Sequence, residues 1–564
     1  MKAAGIATAA IAAAAVALPG SPWGRTAPAT GGTRKLAIVY TAEIHGAVEP
    51  CGCTSDPLGD IARLGHVVEL ARREMDAVLL VDAGSLLYPP TFSEKERDAR
   101  DLRGEFLAAE LVRLGSGGIA LGETDLARGP DRVRPKRLAS NLAAAAFVEA
   151  PRVRAVGGIR VGILGVADPG VAQAAGLRVD DAATAAKRDA ETLRRDGAEV
   201  VIALAPVERA VARRIAREAP VDFVVLGRAV GMGMPRAEAV GQAFVVAPAD
   251  EMQKVGRIDV VLRGGGRSAE APARISWVDA GGPESRRARL AELDRALESL
   301  DADLARWSAG GAARMGADAA FIDLKKRERQ ALAAERASLE AAGPWSPPAQ
   351  APAYFINQLI PLRRALPRDR TLAAAVKRLD ARIGAAGLRA ARPPPPAEPG
   401  RAAYVGDAKC AGCHKPAMKL WKNTVHAQAW KTLVDDGKAA HRDCVKCHVT
   451  GFEEVGGSSL GFTKGLQNVQ CETCHGPASI HVEELGTETP PAVRRDVPET
   501  TCTVCHNEKH SDTFEYQAYL RDILGPGHAE EARKRLGPGP TGKELRAAAV
   551  KKAKEAGQAQ VKRM

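Results

Sequence analysis

The sequence predicts a multidomain chain: an α/β layered domain first, a helical hairpin second and a mainly α domain last. Three observations carry this. Short apolar runs alternate with Ala/Arg/Glu/Leu-rich stretches through the first half. A leucine seam with spacings of 3 and 4 follows. Eight of the ten cysteines then fall between Cys410 and Cys505, where aliphatic runs are scarce.

Taken in order, residues 1–30 read as an export signal. Lys2 is a short basic start, Ala3 to Leu18 is apolar, Pro19-Gly20 breaks the run, and Ala27-Pro28-Ala29 offers small residues for cleavage. The expected location is periplasmic, with membrane attachment only if this segment is retained. Residues 31–280 form the expected α/β domain. Its strands are read at Lys35–Tyr40, Ala77–Asp82, Gly118–Leu121, Arg160–Ala167, Glu199–Ala205, Val221–Gly227, Ala243–Ala247 and Lys254–Leu262. Helices are read at Ile61–Arg73 and Ala182–Arg195, and Gly264-Gly265-Gly266 predicts a tight turn into a hairpin.

Pro283 suits a helix start, and Leu290, Leu293, Leu297, Leu300, Leu304 and Trp307 form an a/d seam, interrupted at Gly310-Gly311. Residues 281–345 are therefore expected to be a helical hairpin. Residues 346–390 read as a mixed segment. The Pro-rich stretch 391–402 reads as a semi-rigid spacer and the main boundary. Residues 403–528 follow as the last domain, and 529–564 as a basic, peripheral and mobile tail.

Of the 564 residues, 45% are hydrophobic, yet one apolar run alone approaches membrane-spanning length, which excludes a multi-pass transporter. Lys+Arg is 80 against 68 Asp+Glu, and the tail from Ala529 holds ten basic and four acidic residues, so about half of the +12 excess lies there. No nucleic-acid motif accompanies the charge, and nucleic acid is not an expected partner.

The cysteines decide the chemistry. They form CAGCH (Cys410, Cys413, His414), CVKCH (Cys444, Cys447, His448), CETCH (Cys471, Cys474, His475) and CTVCH (Cys502, Cys505, His506). Two thiols at this spacing can bond the two vinyl groups of one haem, and the adjoining imidazole can bind its iron. Paired CxxC motifs can also hold zinc, but zinc does not require a histidine after every pair. Four covalent haem c groups are the expected cofactors, held by those twelve residues. Met418 is the one methionine among the motifs, so methionine ligation is at most a minority. Five further histidines, His426, His441, His481, His510 and His528, are available for the sixth positions of four irons.

The segment from Tyr404 to His528 resembles the tetrahaem cytochrome c-554/c-prime family. The resemblance rests on CAGCH with Trp421 and Thr424-Val425-His426-Ala427, on CVKCH with Val449-Thr450-Gly451-Phe452, and on CETCH with Gly476-Pro477 and His481. It implies His426 and His481 as distal ligands, with His528 as the third choice. Family members can keep one haem five-coordinate, so His441 and His510 stay unassigned, and no residue is assigned a catalytic role.

Residues from Lys35 to Leu262 resemble the calcineurin-like metallophosphoesterase domain of periplasmic nucleotidases. The carrying pieces are KLAIVYT before Glu43-Ile44-His45-Gly46, AVLLVD before Ala83-Gly84-Ser85, Gly122-Glu123-Thr124-Asp125, and VDFVVLG ending at Gly227-Arg228. In active members, strand ends supply Asp, His and Asn ligands to two metals. Here Glu43, Ser85, Glu123-Thr124, Pro206-Val207 and Arg228 stand at those places, which implies a degenerate scaffold. A single metal site from Glu43, His45, Asp82 and Glu123 is the residual possibility. His66, in a helical pattern, reads as a surface or core residue. Cys51-Gly52-Cys53 is either a thiolate site or a short-loop disulfide.

The expected function is electron transfer with unidentified redox partner proteins, the α/β domain serving for docking. The alternatives are an oxidoreductase with one open haem iron acting on a small nitrogen or sulfur compound, and a phosphoesterase with appended haems. The oligomeric state is left open.

Overall fold

A computed structural model describes residues 32–564 except 51, 144, 175, 265–273, 308–318, 343–345 and 488–489. The expected export signal, Cys51, Gly265-Gly266 and Gly310-Gly311 lie outside the described residues.

Strand β1 (Arg34–Thr41) shows why the N-terminal module is layered. Leu36, Ile38 and Tyr40 join one buried cluster, while Ala37 and Val39 join another, so both strand faces are covered. β1 lies inside a six-stranded sheet. The spatial order is β13 (Val278–Asp279), β14 (Ala353–Pro361), β12 (Lys254–Leu262), β1, β2 (Ala77–Asp82) and β3 (Ser116–Ile119). A second sheet runs β10 (Glu238–Val240), β11 (Ala243–Val246), β9 (Phe223–Leu226), β8 (Val200–Ala205), β7 (Ile159–Gly165) and β6 (Arg152–Val156). A short pair, β4 (Arg137–Leu138) and β5 (Val148–Glu149), stands apart.

The two sheets share one core, in which Leu36, Ile38 and Leu79 meet Ile163 and Ile202. Helices α1 (Ile61–Glu74), α2 (Arg97–Arg113) and α8 (Arg370–Ala390) cover the outer face of the first sheet. After α3 (Pro169–Ala174), helices α4 (Ala182–Arg195) and α5 (Arg209–Glu218) cover the second. The result is a helix–sheet–sheet–helix sandwich, the α/β layered class the periodicity predicts.

Two expectations change. The mixed segment 346–390 is part of this module: it supplies β14, antiparallel to β12 from Lys254↔Pro361 to Leu262↔Ala353, and the capping helix α8. β12 is buried along almost its whole length and takes β1 and β14 as its two partners, not a local hairpin mate. The close contact of β1 and β12 depends on Gly256, where a Cβ would lie 1.8 Å from the Tyr40 ring. That ring's hydroxyl donates to Asn357 Oδ1 on β14 at 2.8 Å.

Helices α6 (Pro283–Arg306) and α7 (Ala319–Ala341) form the expected hairpin. Leu293 and Leu300 are buried, and Arg289–Glu335, Arg329–Asp301 and Arg336–Asp294 link the arms at 2.5, 2.5 and 2.6 Å.

The C-terminal module is built from short helices: α9 (Asp407–Cys410), α10 (Lys415–Trp421), α11 (Ala429–Asp435), α12 (Arg442–His448), α13 (Cys471–His475), α14 (Ser479–Glu483), α15 (Glu499–Thr503) and α16 (Tyr516–Ile523). The Pro-rich stretch is bound to this module and does not span open space. Pro395 O accepts from Gly456 N at 2.8 Å, and Arg392 O accepts from the Ser459 hydroxyl at 2.5 Å.

The basic tail packs back onto the chain. It forms α17 (Glu530–Arg535) and α18 (Gly542–Val561), the latter started by a Thr541/Glu544 capping box. α18 returns to the N-terminal module: Arg546 donates to Cys53 O at 2.6 Å, and Gln560 to Pro361 O at 2.8 Å. Gly557 also packs against Ala365, where a Cβ would lie 2.7 Å from the Ala365 side chain. Among the described residues, no helix is long and apolar enough to cross a membrane.

Candidate functional site

Each CxxCH motif lies on a single helical turn. His414 N donates to Cys410 O at 2.9 Å and His506 N to Cys502 O at 2.8 Å, while α12 ends at His448 and α13 at His475. One turn brings the imidazole beside the first thiol. The motifs are also brought to one another. The thiols of Cys410 and Cys471 touch, as do those of Cys447 and Cys505, and Cys474 neighbours Cys502. Thus the first motif adjoins the third, the second adjoins the fourth, and the third and fourth adjoin each other.

Three motif histidines are oriented by their Nδ1 atoms. His448 Nδ1 faces Ala429 O at 2.5 Å, His475 Nδ1 faces Arg494 O at 2.8 Å, and His506 Nδ1 faces the Ser511 hydroxyl at 3.1 Å. A ring nitrogen facing a carbonyl must be the donor, which leaves the Nε2 lone pair free for a metal.

The second histidines come from other segments. His481, on α14, stacks against His414 with ring centres 6.4 Å apart, and His426 sits 6.1 Å from His506. Two imidazoles each about 2 Å from one metal ion place their ring centres roughly 6 Å apart, so both pairs fit an iron between them. His528 neighbours His475. Burial pushes His426 down to about 4, with His506 adding to it, and burial also lowers His506 and His528. Each of these shifts favours the neutral imidazole, the form that binds a metal. The predicted residues His426, His481 and His528 are therefore each placed by a different motif. Among the described residues, no second imidazole stacks on His448 as His481 does on His414.

His441 is occupied elsewhere. It is 2% exposed, and its Nε2 contacts Asp380 O of α8 at 3.0 Å, across the two modules. His510 N donates to Asn507 O at 3.0 Å in the turn after the fourth motif.

The modules meet along a polar seam. Lys95–Glu453 (2.6 Å), Arg103–Asp443 (2.7 Å), Lys438–Glu49 (3.3 Å) and Lys509–Glu251 (2.7 Å) cross it, and Ser55 N donates to Asp512 at 2.9 Å. Close approach is possible because α8 carries Gly387, where a Cβ would lie 2.9 Å from Leu460 and 3.1 Å from Ala440 O. This seam is invisible in sequence, because its partners are hundreds of residues apart.

At the strand ends of the α/β module, the charges are already matched. Glu43 accepts from Ala229 N at 3.1 Å and Val230 N at 2.9 Å, and His45 lies 3.9 Å from it. Asp82 is buried, accepts from the Thr41 hydroxyl and Gly84 N, and is pushed up to about 7 by burial. Arg228 reaches Asp168 at 2.5 Å, Glu208 at 3.4 Å and Glu123 at 3.5 Å. A guanidinium thus stands among the carboxylates of this edge. For the residual single-site possibility from Glu43, His45, Asp82 and Glu123, the described residues hold no group of three or more His, Cys, Asp or Glu that could hold a metal ion. Sequence places Arg228 at the end of a strand but cannot show which carboxylates it bridges.

Fold and site together define a two-module chain, an α/β sandwich joined to a cytochrome c module. Residues 409–476 match the family model described as cytochrome c554 and c-prime, which implies covalent haem c. The chain is 32% identical over 139 residues to cytochrome c-554 of Nitrosomonas europaea, covering 19% of this chain and 58% of that protein. The chain thus spans a little over half the length of that curated relative. The solved structure of reduced cytochrome c554 from the same organism is similar at 27% identity, 24% of this chain and 79% of that one, with a TM-score of 0.16. Two further solved structures are similar to this chain. One is a 5'-nucleotidase precursor from Thermus thermophilus (21% identity, 40% of this chain, 51% of that one, TM-score 0.35). The other is the calcineurin-like phosphoesterase YfkN from Bacillus subtilis (19% identity, 41% and 86%, TM-score 0.34).

Proposed function

We propose that this chain is an exported tetrahaem electron carrier acting in the periplasm, with four covalent haem c groups and a phosphoesterase-like module that has lost its metals and serves for docking. The carrying observation is that four CxxCH turns converge, and that histidines from outside the motifs stand opposite His414 and His506 at metal-bridging separation. Each haem supplies one-electron Fe(III)/Fe(II) chemistry when bound. The chain's residues do the rest. The eight motif cysteines tether the groups. His414, His448, His475 and His506 would each offer one iron-binding nitrogen, oriented in three cases through Nδ1. His481, His426 and His528 would offer second nitrogens to the first, fourth and third motifs respectively. Export suits the apolar N-terminal segment, because c-type haem is attached outside the bacterial cytoplasm. Redox proteins are the partners in this reading.

One observation favours a second reading. His448 has its Nδ1 anchored but no stacked imidazole opposite it among the described residues. An open sixth position there would admit a small nitrogen or sulfur compound. Electron paramagnetic resonance of the oxidised holoprotein separates the two. Wholly low-spin iron supports a carrier alone. One high-spin ferric haem that shifts on adding a small ligand supports substrate binding at the second motif.

A further inference from the structure

We propose that the lysine face of α10, beside the first haem motif, docks an acidic redox protein for electron exchange. This rests on the electron-carrier reading and adds a place and a partner class to it.

Lys415, Lys419 and Lys422 stand at i, i+4 and i+7, so they share one face of α10 and its C-terminal cap. Lys409 joins them from α9. All four are exposed. The opposite face of α10 is packed: Ala417 sits against Gly527, Leu420 against Gly525, and Met418 is buried. The lysines therefore have one direction open to them, outward.

Like charges one turn apart repel, and a helix normally relieves this with an acidic neighbour. The lysines crossing the module seam, Lys95, Lys438 and Lys509, each reach a glutamate. Lys431 reaches Asp435 in the adjoining helix. Among the described residues, Lys409, Lys415, Lys419 and Lys422 form no ion pair. Val425, 69% exposed, lies three residues beyond Lys422. An apolar spot next to unpaired positive charge, beside a haem attachment turn, has the make-up of a transient electron-transfer interface. A partner with an acidic face would be steered to the first motif and would relieve the repulsion.

The test uses haem-loaded full-length protein at a gold electrode coated with a carboxylate-terminated monolayer, which stands in for the acidic partner. An amine-terminated monolayer is the control. Wild type should exchange electrons at the carboxylate surface, with a rate that falls as salt is raised. The K415E/K419E/K422E variant should lose on the order of tenfold or more in rate. K551E/K552E/K554E in α18, with the same change in net charge, should stay within about twofold. Equal losses in the two variants, or no loss in the first, overturn the proposal. So does loss of a low-spin haem signal in the first variant, which would mean that the lysines hold haem propionates. Capture of that face by anionic vesicles or duplex DNA, without exchange at the carboxylate surface, also overturns it. Haem content and dithionite reduction are measured on every sample. A chain without reducible haem sinks the electron-carrier reading itself, whereas intact haems with an unchanged rate sink the docking face alone.

Discussion

Arg228→Ala should destabilise the α/β module and open it to divalent cations. The size of the effect follows from the contacts. The bond to Asp168 is 2.5 Å long, and the Asp168 side chain is 11% exposed. Such a charge-assisted hydrogen bond contributes about 1.5–3 kcal/mol. Glu123 and Glu208, at 3.5 and 3.4 Å, are 53% and 63% exposed. Solvent screening leaves each of those pairs only a few tenths of a kcal/mol. The loss is therefore about 2–3 kcal/mol, set mainly by Asp168, or roughly 4–12 °C for a module of this size. Differential scanning calorimetry of the holoprotein should show the α/β endotherm falling by that amount. Added Mn²⁺ should raise it again in the variant, by binding the exposed carboxylates, and should leave wild type unmoved. An unchanged endotherm in the variant would refute the reasoning. So would stoichiometric Mn²⁺ binding with phosphodiester turnover in wild type, because the guanidinium would then not be standing in for metal charge.

Three further outcomes follow. His481→Ala should convert one haem, the one held by His414, to high spin, seen as a new high-spin ferric signal; wild-type spectra from this variant would remove His481 from the ligand set. His441→Ala should leave the spin states alone and weaken the seam by about 1–2 kcal/mol, the cost of a lost buried hydrogen bond, read as faster proteolysis between the modules. Asp82 has a folded pKa raised from an unfolded value of 3.8 to about 7. Below the lower value both states are protonated and nothing is lost; stability then falls as pH rises through the window and levels off above it, by at most about 4 kcal/mol at 1.36 kcal/mol per pH unit. Asp82→Asn should flatten that decline in pH-dependent unfolding, and a slope equal to wild type would contradict the assignment.

What is legible in the sequence is local. β2 and β12 fall on the predicted residues, and α4 does too, because each carries its own periodicity. The CxxCH turns are local as well. The strand read at Gly118–Leu121 begins earlier, at Ser116, because its glycines give no alternation to read. β14 and α8 are not legible as parts of the sandwich, since the pairing with β12 spans a helical hairpin and is set by burial, not by neighbouring residues. The tail reads as mobile on charge, yet Arg546 and Gln560 find carbonyls in the N-terminal module. Histidine type and number suggest the distal ligands, but which motif each one faces is a property of the folded chain: His481 follows the third motif and faces the first, and His426 follows the first and faces the fourth.

The most direct test of the account is spin-quantified electron paramagnetic resonance on oxidised protein whose haem content has been fixed by intact mass. The account predicts four covalent haems. Three should be low-spin and lost one at a time in His426→Ala, His481→Ala and His528→Ala, while the spin state of the haem at His448 separates a carrier alone from substrate binding there. Fewer than four haems, or low-spin signals that survive all three substitutions, would contradict it.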